Sequence, residues 1–478
     1  MGLVGVIVLG AAIYRYAAAP PEVDTALAAS ASASVAALPP RCVPLLPDSS
    51  YRVGPEPTAK PVTSSLPVDE PTEPDRDDLV APYAVILGRA VAHEGGYAVG
   101  VLGDAEGGSV SSIATLSPDG STGKLVRLAR SRGDLEPPVV AVAPGGDIFA
   151  AMLEPNASSR SLKLAKVVAG EVTWGVELNE GKDPSLAIDL AVTARRGVVV
   201  WDGMQDDRYY VSVAGFSLDS FATVTSERRA TRKELDADQP RVVARPGGFF
   251  LSYLVHERET EREAAADRGP REAAPSPASS GSKANKKKAK KDAEKPSSDE
   301  IDESRGGESV GSSWVEVVPL DESGAQASDP LRVTPPGATV TSFDVGVSSE
   351  GSLILAYRDD DAPTGGVGGQ VHVVKVHMGG FGPSYEPPEP LPSDGVPSVL
   401  DGWLGVPTLS GPDFLAKLGA DGLPAEPPQR EPSLGIGEPI AARGDQLLLA
   451  DPDGRAMKLR VVTCGPRVVA SAPAPADD

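Results

Sequence analysis

Aspartate and glutamate recur in the polar segments that separate the apolar runs of this sequence. The candidates for binding or catalysis are Asp134, Glu136, Asp183, Asp236, Asp238, Asp359, Asp360, Asp361 and Asp394. Carboxylates gathered on one concave surface attract cations and basic peptides. A converging pair could hold a divalent cation or act in acid–base catalysis. The same residues also serve solubility and turn formation in any acidic protein, so both interpretations stay open.

Motifs of known chemistry are absent from the sequence. It contains no Gly-x-Ser-x-Gly elbow and no phosphate-binding Gly-x4-Gly-Lys-Ser/Thr loop, and His93 lacks the second histidine of a zinc-binding helix. His372 and His377 are five residues apart, which places them on opposite faces of a strand. We therefore predict no catalytic residue, no protein-held metal and no cofactor, with a divalent cation at the acidic loops as the alternative.

Charge and composition narrow the classes of partner. The net charge of −22 repels nucleic acids, so we expect a protein or a cationic ligand as partner. Only 5% of the residues are aromatic, whereas Gly and Pro number 51 and 47, which favours short strands and turns over long helices. We expect a monomer.

Glycine turns repeat along the chain with a period near 50 residues. The segment at 139–149, VVAVAPGGDIF, returns at 242–250 as VVARPGGFF. The turn glycines that close one apolar run and open the next are Gly96, Gly146, Gly197, Gly248, Gly351, Gly402 and Gly444. Such a period is typical of repeat architectures.

Each repeat reads as four short strands joined by tight turns. The apolar runs are rich in Val, Ile, Leu and Phe, and Asp-Gly pairs such as Asp119-Gly120 supply hairpin turns. A unit of four antiparallel strands at this period resembles a β-propeller blade. The resemblance covers about residues 80–464 and carries no subfamily signature. It implies an all-β, seven-bladed propeller, with six blades left open because the last two repeats are compressed.

One interval between turn glycines is twice the usual length. Residues 256–312 are dense in both charges and nearly free of branched aliphatic side chains, so we predict a disordered insert there. It divides the propeller into residues 41–255, with the closing strand and the first part of blade 4, and residues 313–464, with the rest. Residues 465–478 are predicted to be a disordered tail.

The N-terminal region predicts export. Residues 2–14 are apolar, a length that fits a signal sequence better than a full membrane span. We expect residues 1–19 to be a signal peptide or membrane anchor and residues 20–40, rich in Pro, Ala and Ser, to be a tether. The protein would then be extracytoplasmic, in the periplasm or at the cell surface.

The propeller must close on itself, because an unpaired edge strand invites aggregation. The last repeat lacks a fourth strand, while residues 41–54 form an apolar island before the first repeat. We expect this segment to pair with the last blade and Cys42 to bond Cys464. Two free thiols in a reducing compartment are the alternative.

The sequence thus predicts a non-enzymatic, exported platform for binding a protein or ligand, tethered near a membrane. The alternative function is a hydrolase or lyase that uses the acidic loops or a divalent cation. An enzyme would require carboxylates that converge on one pocket and have perturbed pKa values.

Overall fold

The computed structural model describes most of the repeat region and the segment that precedes it. The described residues are 42–46, 50–54, 85–105, 108–131, 136–155, 160–178, 187–257, 312–360, 369–377, 380–387, 391, 393, 395–408, 413–435 and 437–465. They form seven antiparallel sheets and one short 3₁₀ helix, Pro432–Leu434. No helix in this part of the chain has the length and apolar character that a bilayer crossing requires.

The first three blades follow two short N-terminal strands, β1 and β2. The bounds are β1 Cys42–Pro44 and β2 Tyr51–Val53; in blade 1, β3 Val85–His93, β4 Gly96–Ala105, β5 Gly108–Leu116 and β6 Gly123–Ser131; in blade 2, β7 Val139–Val142, β8 Ile148–Pro155, β9 Arg160–Val168 and β10 Glu171–Glu177; in blade 3, β11 Ile188–Val192, β12 Arg196–Gln205, β13 Arg208–Ser217 and β14 Thr223–Arg229.

The remaining four blades continue in the same order. The bounds are, in blade 4, β15 Asp236–Arg245, β16 Gly248–His256, β17 Ser313–Leu320 and β18 Leu331–Arg332; in blade 5, β19 Val340–Val347, β20 Leu353–Asp359, β21 Gln370–His377 and β22 Gly380–Tyr385; in blade 6, β23 Ser398–Leu400, β24 Trp403–Val406, β25 Phe414–Lys417 and β26 Gln429–Arg430; in blade 7, β27 Glu438–Arg443, β28 Gln446–Asp453 and β29 Ala456–Cys464.

The seven sheets form a closed ring. Consecutive first strands, β3, β7, β11, β15, β19, β23 and β27, contact one another around a central channel, and β27 returns to β3. A separate buried apolar cluster fills the space between each neighbouring pair of sheets. Between blades 2 and 3, for example, Phe149 and Phe216 pack with Trp201. The chain is a seven-bladed β-propeller, which confirms the predicted class and decides between six and seven blades.

The predicted Asp-Gly turns lie where the third and fourth strands of a blade meet, and they rest on the preceding blade. Gly422 has a φ of 82°, a conformation that residues with a Cβ rarely adopt. A Cβ at Gly422 would lie 2.2 Å from the Cδ1 atom of Ile354 in blade 5. The glycine therefore serves both the turn and the packing between blades.

The ring is closed by the N-terminal strands, as predicted. Both β1 and β2 pair antiparallel with β29, and Cys42 lies directly opposite Cys464 in that ladder. The two cysteines form a disulfide across 422 residues of sequence. Arg52 of β2 also forms an ion pair of 2.8 Å with Asp453. The first and last described segments are thus joined by backbone hydrogen bonds, a covalent bond and a surface ion pair.

Several predicted segments lie outside the described residues. These are the signal or anchor at 1–19, the tether at 20–40, the tail at 466–478 and nearly all of the insert, at 258–311. The insert's flanks are described: His256 and Ser313 are direct partners in the β16–β17 ladder.

The polar segment of Asp236 and Asp238, which was expected to separate two apolar runs, is itself part of a strand. β15 already begins at Asp236 and pairs with the end of β16. A register shift between Asp238 and Arg241 accommodates Gln239, whose φ is 50°, and Pro240, which has no N–H to donate. The strand continues through this turn-like sequence because a β-bulge accommodates Gln239 and Pro240, which do not fit regular pairing.

We predict that replacing both Cys42 and Cys464 with Ser lowers the free energy of unfolding by about 2–4 kcal/mol, because the unfolded chain loses its longest crosslink. Denaturant titration under non-reducing conditions measures this change. Wild-type protein kept in reductant is the matched control and should behave like the double variant. An unchanged midpoint would contradict the role assigned to the disulfide.

Candidate functional site

The central channel is lined by sheet edges that need hydrogen-bond partners. Each first strand pairs on one side only, so its other edge faces the channel. Asp189 in β11 accepts a hydrogen bond of 2.8 Å from the backbone N–H of Val242 in blade 4. Asp344 in β19 likewise accepts one of 2.8 Å from Val399 in blade 6. Two aspartates in equivalent places therefore each tie one blade to the next.

Arg89 of blade 1 crosses the channel to reach both aspartates. Its guanidinium lies 3.7 Å from the carboxylate of Asp189 and 3.4 Å from that of Asp344, and it donates a 2.8 Å hydrogen bond to the carbonyl of Val345. Its side chain is 30% exposed, so it borders on the solvent of the channel. This central cluster of Arg89, Asp189 and Asp344 joins blades 1, 3 and 5 across the axis.

Burial and mutual attraction set the protonation of the central cluster. Burial opposes the charge of Arg89, but the carboxylates of Asp344 and Asp189 outweigh it and raise the pKa of the guanidinium. Burial raises the pKa of Asp189 above its ordinary value, although Arg89 and Arg241 favour the carboxylate. Burying the charged carboxylate of Asp189 costs free energy, and the nearby cations Arg89 and Arg241 offset this cost.

Sequence reasoning missed the central cluster. Asp189 and Asp344 lie inside apolar runs that were interpreted as ordinary buried strands. A signal was available, because both repeats place an aspartate between branched or aromatic apolar residues, Ile188-Asp189-Leu190 and Phe343-Asp344-Val345. A charge within a buried strand indicates a specific partner.

The nine acidic residues named above as candidates for binding or catalysis, which we call the acidic rim, are only partly described. Asp134, Asp183, Asp361 and Asp394 lie outside the described residues. The others lie at the end of the ring where second and third strands connect, which we call the upper face. They belong to blade 4 (Asp236, Asp238), blade 5 (Asp359, Asp360) and the segment leading into blade 2 (Glu136).

Backbone and charged groups hold these carboxylates. Asp236 accepts a 2.8 Å hydrogen bond from the N–H of Tyr209 in blade 3. Asp359 accepts one of 3.1 Å from the N–H of Thr339, at the start of its own blade. Asp202 in blade 3, which sequence reasoning missed, similarly binds the N–H of Ala187. These aspartates fix the segments that lead into the first strands.

Two further rim acids, Asp360 and Glu136, differ in exposure. Asp360 is exposed and binds Arg358 through both oxygens, at 2.6 and 3.1 Å. Burial raises the pKa of Glu136, while the charge of Arg160 opposes that rise. Among the described residues, no group of three or more His, Cys, Asp or Glu side chains is arranged to hold a metal ion.

Asp238 and His256 form the rim's most distinctive pair. Nε2 of His256 lies 3.0 Å from an oxygen of Asp238. Burial works against the charged imidazole, but the hydrogen bond and charge of Asp238, with the charge of Asp236, raise the pKa of His256. Ser313 lies directly opposite His256, yet its hydroxyl donates to the carbonyl of Val340 at 2.6 Å. The serine is thus engaged with backbone and not with the imidazole.

The two histidines of β21 have separate environments, as expected. His372 stacks on Tyr357 with ring centroids 5.0 Å apart, and burial lowers its pKa although Asp359 and Glu386 oppose the effect. His377, at the other end of the strand, lies 2.8 Å from the hydroxyl of Ser352.

No protein-family model matches the sequence, and no curated protein matches it either. Solved structures resemble its fold. The acylaminoacyl peptidase of Pyrococcus horikoshii aligns at 9% identity and a TM-score of 0.44 over 80% of this chain and 52% of the peptidase. This chain therefore corresponds to about half of that enzyme's length.

Two further solved structures align with this chain over most of their own length. The β-propeller domain of the Trilobed protease from Pyrococcus furiosus aligns at 8% identity and a TM-score of 0.42, over 81% of this chain and 98% of the domain. TolB from Acinetobacter baumannii aligns at 12% identity and a TM-score of 0.34, over 73% of this chain and 82% of TolB. The likeness concerns the fold alone.

We predict that Arg89→Met destabilises the ring by about 2 kcal/mol, less than the roughly 3–5 kcal/mol of a fully buried pair because Arg89 borders on solvent. The loss arises because Asp189 and Asp344 lose the guanidinium that compensates the charge of both carboxylates. Urea unfolding of the variant measures it.

Two controls test the cause. Adding Asp189→Asn and Asp344→Asn to Arg89→Met should restore part of the loss, since Asn still accepts the backbone N–H groups. Arg52→Met removes an ion pair whose side chains are 61% and 49% exposed and should change stability by less than about 1 kcal/mol. Equal effects of Arg89→Met and Arg52→Met would contradict the interpretation.

We predict opposite pH dependences for two histidine variants. Because the pKa of His256 is raised on folding, its contribution to stability is complete below the unfolded value of 6.5 and is lost as the pH rises through the folded value. The pKa of His372 is lowered, so its protonation costs stability at low pH and the cost disappears as the pH rises through 6.5.

The measurement is the unfolding free energy of the wild type, His256→Gln and His372→Gln at about pH 5.5 and 8.5. The free energy of unfolding of the wild type should exceed that of His256→Gln by less as the pH rises. Relative to His372→Gln, the free energy of unfolding of the wild type should increase as the pH rises. Parallel pH profiles for the two variants would refute the assignment.

Proposed function

We propose that the protein is an exported, non-enzymatic platform whose upper face binds a cationic protein or peptide. The ring supplies rigidity, because buried clusters lie between all neighbouring blades and a disulfide joins its ends. Disulfides persist in oxidising compartments, which supports an extracytoplasmic location. Export and membrane tethering through residues 1–40 are part of this proposal and rest on the sequence alone.

The observation that carries the proposal is the way the upper face holds its carboxylates. Asp236 and Asp359 are fixed by backbone N–H groups, and Asp360 by both nitrogens of an arginine fork. Fixed acceptors lose little conformational entropy on binding, so a cationic partner meets a preorganised surface. The charge of −22 adds long-range attraction that speeds the encounter.

A hydrolase or lyase is the second candidate function. A carboxylate that orients an imidazole, as Asp238 does for His256, is a general-base arrangement. We place this function second because the hydroxyl nearest along the ladder, that of Ser313, is bound to the carbonyl of Val340.

The platform function predicts that octalysine binds the full-length protein and that Asp236→Asn, Asp359→Asn and Asp360→Asn together weaken binding by about tenfold at low salt. Asparagine keeps the hydrogen-bond acceptor and removes only the charge. Calorimetric titration at two salt concentrations measures the affinity, which should fall as salt rises.

A matched variant removes three charges from the opposite face, with Asp401→Asn, Asp421→Asn and Asp445→Asn. These residues lie in the turns between first and second or third and fourth strands and are exposed. This variant should bind octalysine within about twofold of the wild type. An equal loss of octalysine affinity in both variants would show that binding depends on net charge alone, and this would overturn the proposal. A wild-type protein that does not bind octalysine would also overturn it.

A further inference from the structure

A groove lies on the outer wall of the ring between blades 1 and 2. The groove is open to solvent and has a volume of about 500 Å³. Its walls include Leu128 and Arg130 of β6, Glu154 and Lys163 of β8 and β9, and Trp174 and Glu177 of β10. That volume is within the roughly 300–1,000 Å³ typical of small-ligand sites. Glu154 and Arg130 lie near the ends of their strands that point toward the upper face, but none of the described rim carboxylates lines the groove, so the proposed platform function makes no use of it.

Trp174 is unusual among the tryptophans. Its side chain is 43% exposed, whereas Trp201 and Trp403 are 1% and 0% exposed in the core. A ligand that covers the indole of Trp174 removes apolar surface from water, which favours binding. The flat apolar face of this indole is suited to stack against the C–H face of a ring-shaped ligand, and its N–H can donate to a hydroxyl.

The charges of the groove are balanced. Glu154 and Lys163 form an ion pair, and Arg130 and Glu177 add one further charge of each sign. In a protein of net charge −22, such balance disfavours both polycations and polyanions as ligands. A hydroxyl both donates and accepts, so a polyhydroxylated neutral ligand can satisfy carboxylates and cationic nitrogens alike.

The backbone of the walls argues against a peptide strand as ligand. In β6 the partners of Ser111 and Ser112 are Ala129 and Arg127, so Leu128 is an extra residue in the ladder. In β10 the register shifts between Trp174 and Glu177. Bulges break the regular spacing that an added strand would need, and they re-aim side chains. A ligand in this groove would therefore be recognised by side chains and not by strand pairing.

We propose that this groove is a binding site for a neutral oligosaccharide, with Trp174 as the stacking platform and Arg130, Glu177 and the Glu154–Lys163 pair as hydrogen-bonding groups. The site shares no residue with the rim carboxylates of the proposed platform, so either proposal can fail without the other.

Acrylamide quenching of tryptophan fluorescence tests the site in the full-length protein. The probes are cellohexaose, maltohexaose, xylohexaose and chitohexaose, with an oligogalacturonate and a (Thr-Val)₄ peptide as charged and strand-forming comparisons. At least one neutral hexasaccharide should reduce the quenching saturably, and Trp174→Phe should remove most of the quenchable emission. Protection by none of the neutral sugars, or by the oligogalacturonate or peptide alone, would overturn the proposal.

Calorimetry of the protecting sugar separates stacking from general stability. Trp174→Ala should weaken its binding by at least about tenfold, whereas Trp314→Phe, a tryptophan change in blade 4, should leave it within about twofold. The urea unfolding midpoint should be the same in Trp174→Ala and wild type, which shows that the variant is folded. Unchanged sugar affinity in Trp174→Ala would refute the role of the groove.

Discussion

Pairing of β29 with β1 and β2 is the interaction on which the ring depends. Blade 7 has only three strands from the C-terminal end of the chain, and without the N-terminal segment the outer edge of β29 would be open. Because each blade is covered by its neighbours on both faces, loosening blade 7 would expose the clusters it shares with blades 6 and 1. The disulfide at the end of this ladder therefore protects two apolar interfaces as well as one sheet edge.

The central cluster performs a comparable task at the inner edge of the ring. Neighbouring first strands touch but do not pair, so backbone groups along the channel need partners from side chains. Asp189 and Asp344 supply acceptors, and Arg89 compensates their charge from the far side of the axis. Blades that are not neighbours are thereby connected, which limits independent movement of the sheets that carry the upper face.

Most of the fold could be predicted because it is determined locally. The period of the turn glycines, the Asp-Gly hairpins and the missing fourth strand of the last repeat are all visible in the sequence, and they led to seven blades, the closing strand and the Cys42–Cys464 bond. The candidate site was harder to predict from the sequence. Arg89 in blade 1 reaches partners in blades 3 and 5, neither of which is a neighbouring blade, and no local pattern encodes such a contact. The outer groove depends on bulges at Leu128 and after Trp174, where the register of two strands shifts by one residue.

The direct pairing of His256 with Ser313 allows the ring to accept different segments between β16 and β17. The chain leaves blade 4 and returns to it at adjacent positions of one ladder, so the geometry of the ring sets no requirement on the length or composition of what lies between. A foreign module whose own ends are close together could be grafted at this junction without altering the blades. The junction is therefore a suitable insertion point for a reporter or an affinity tag.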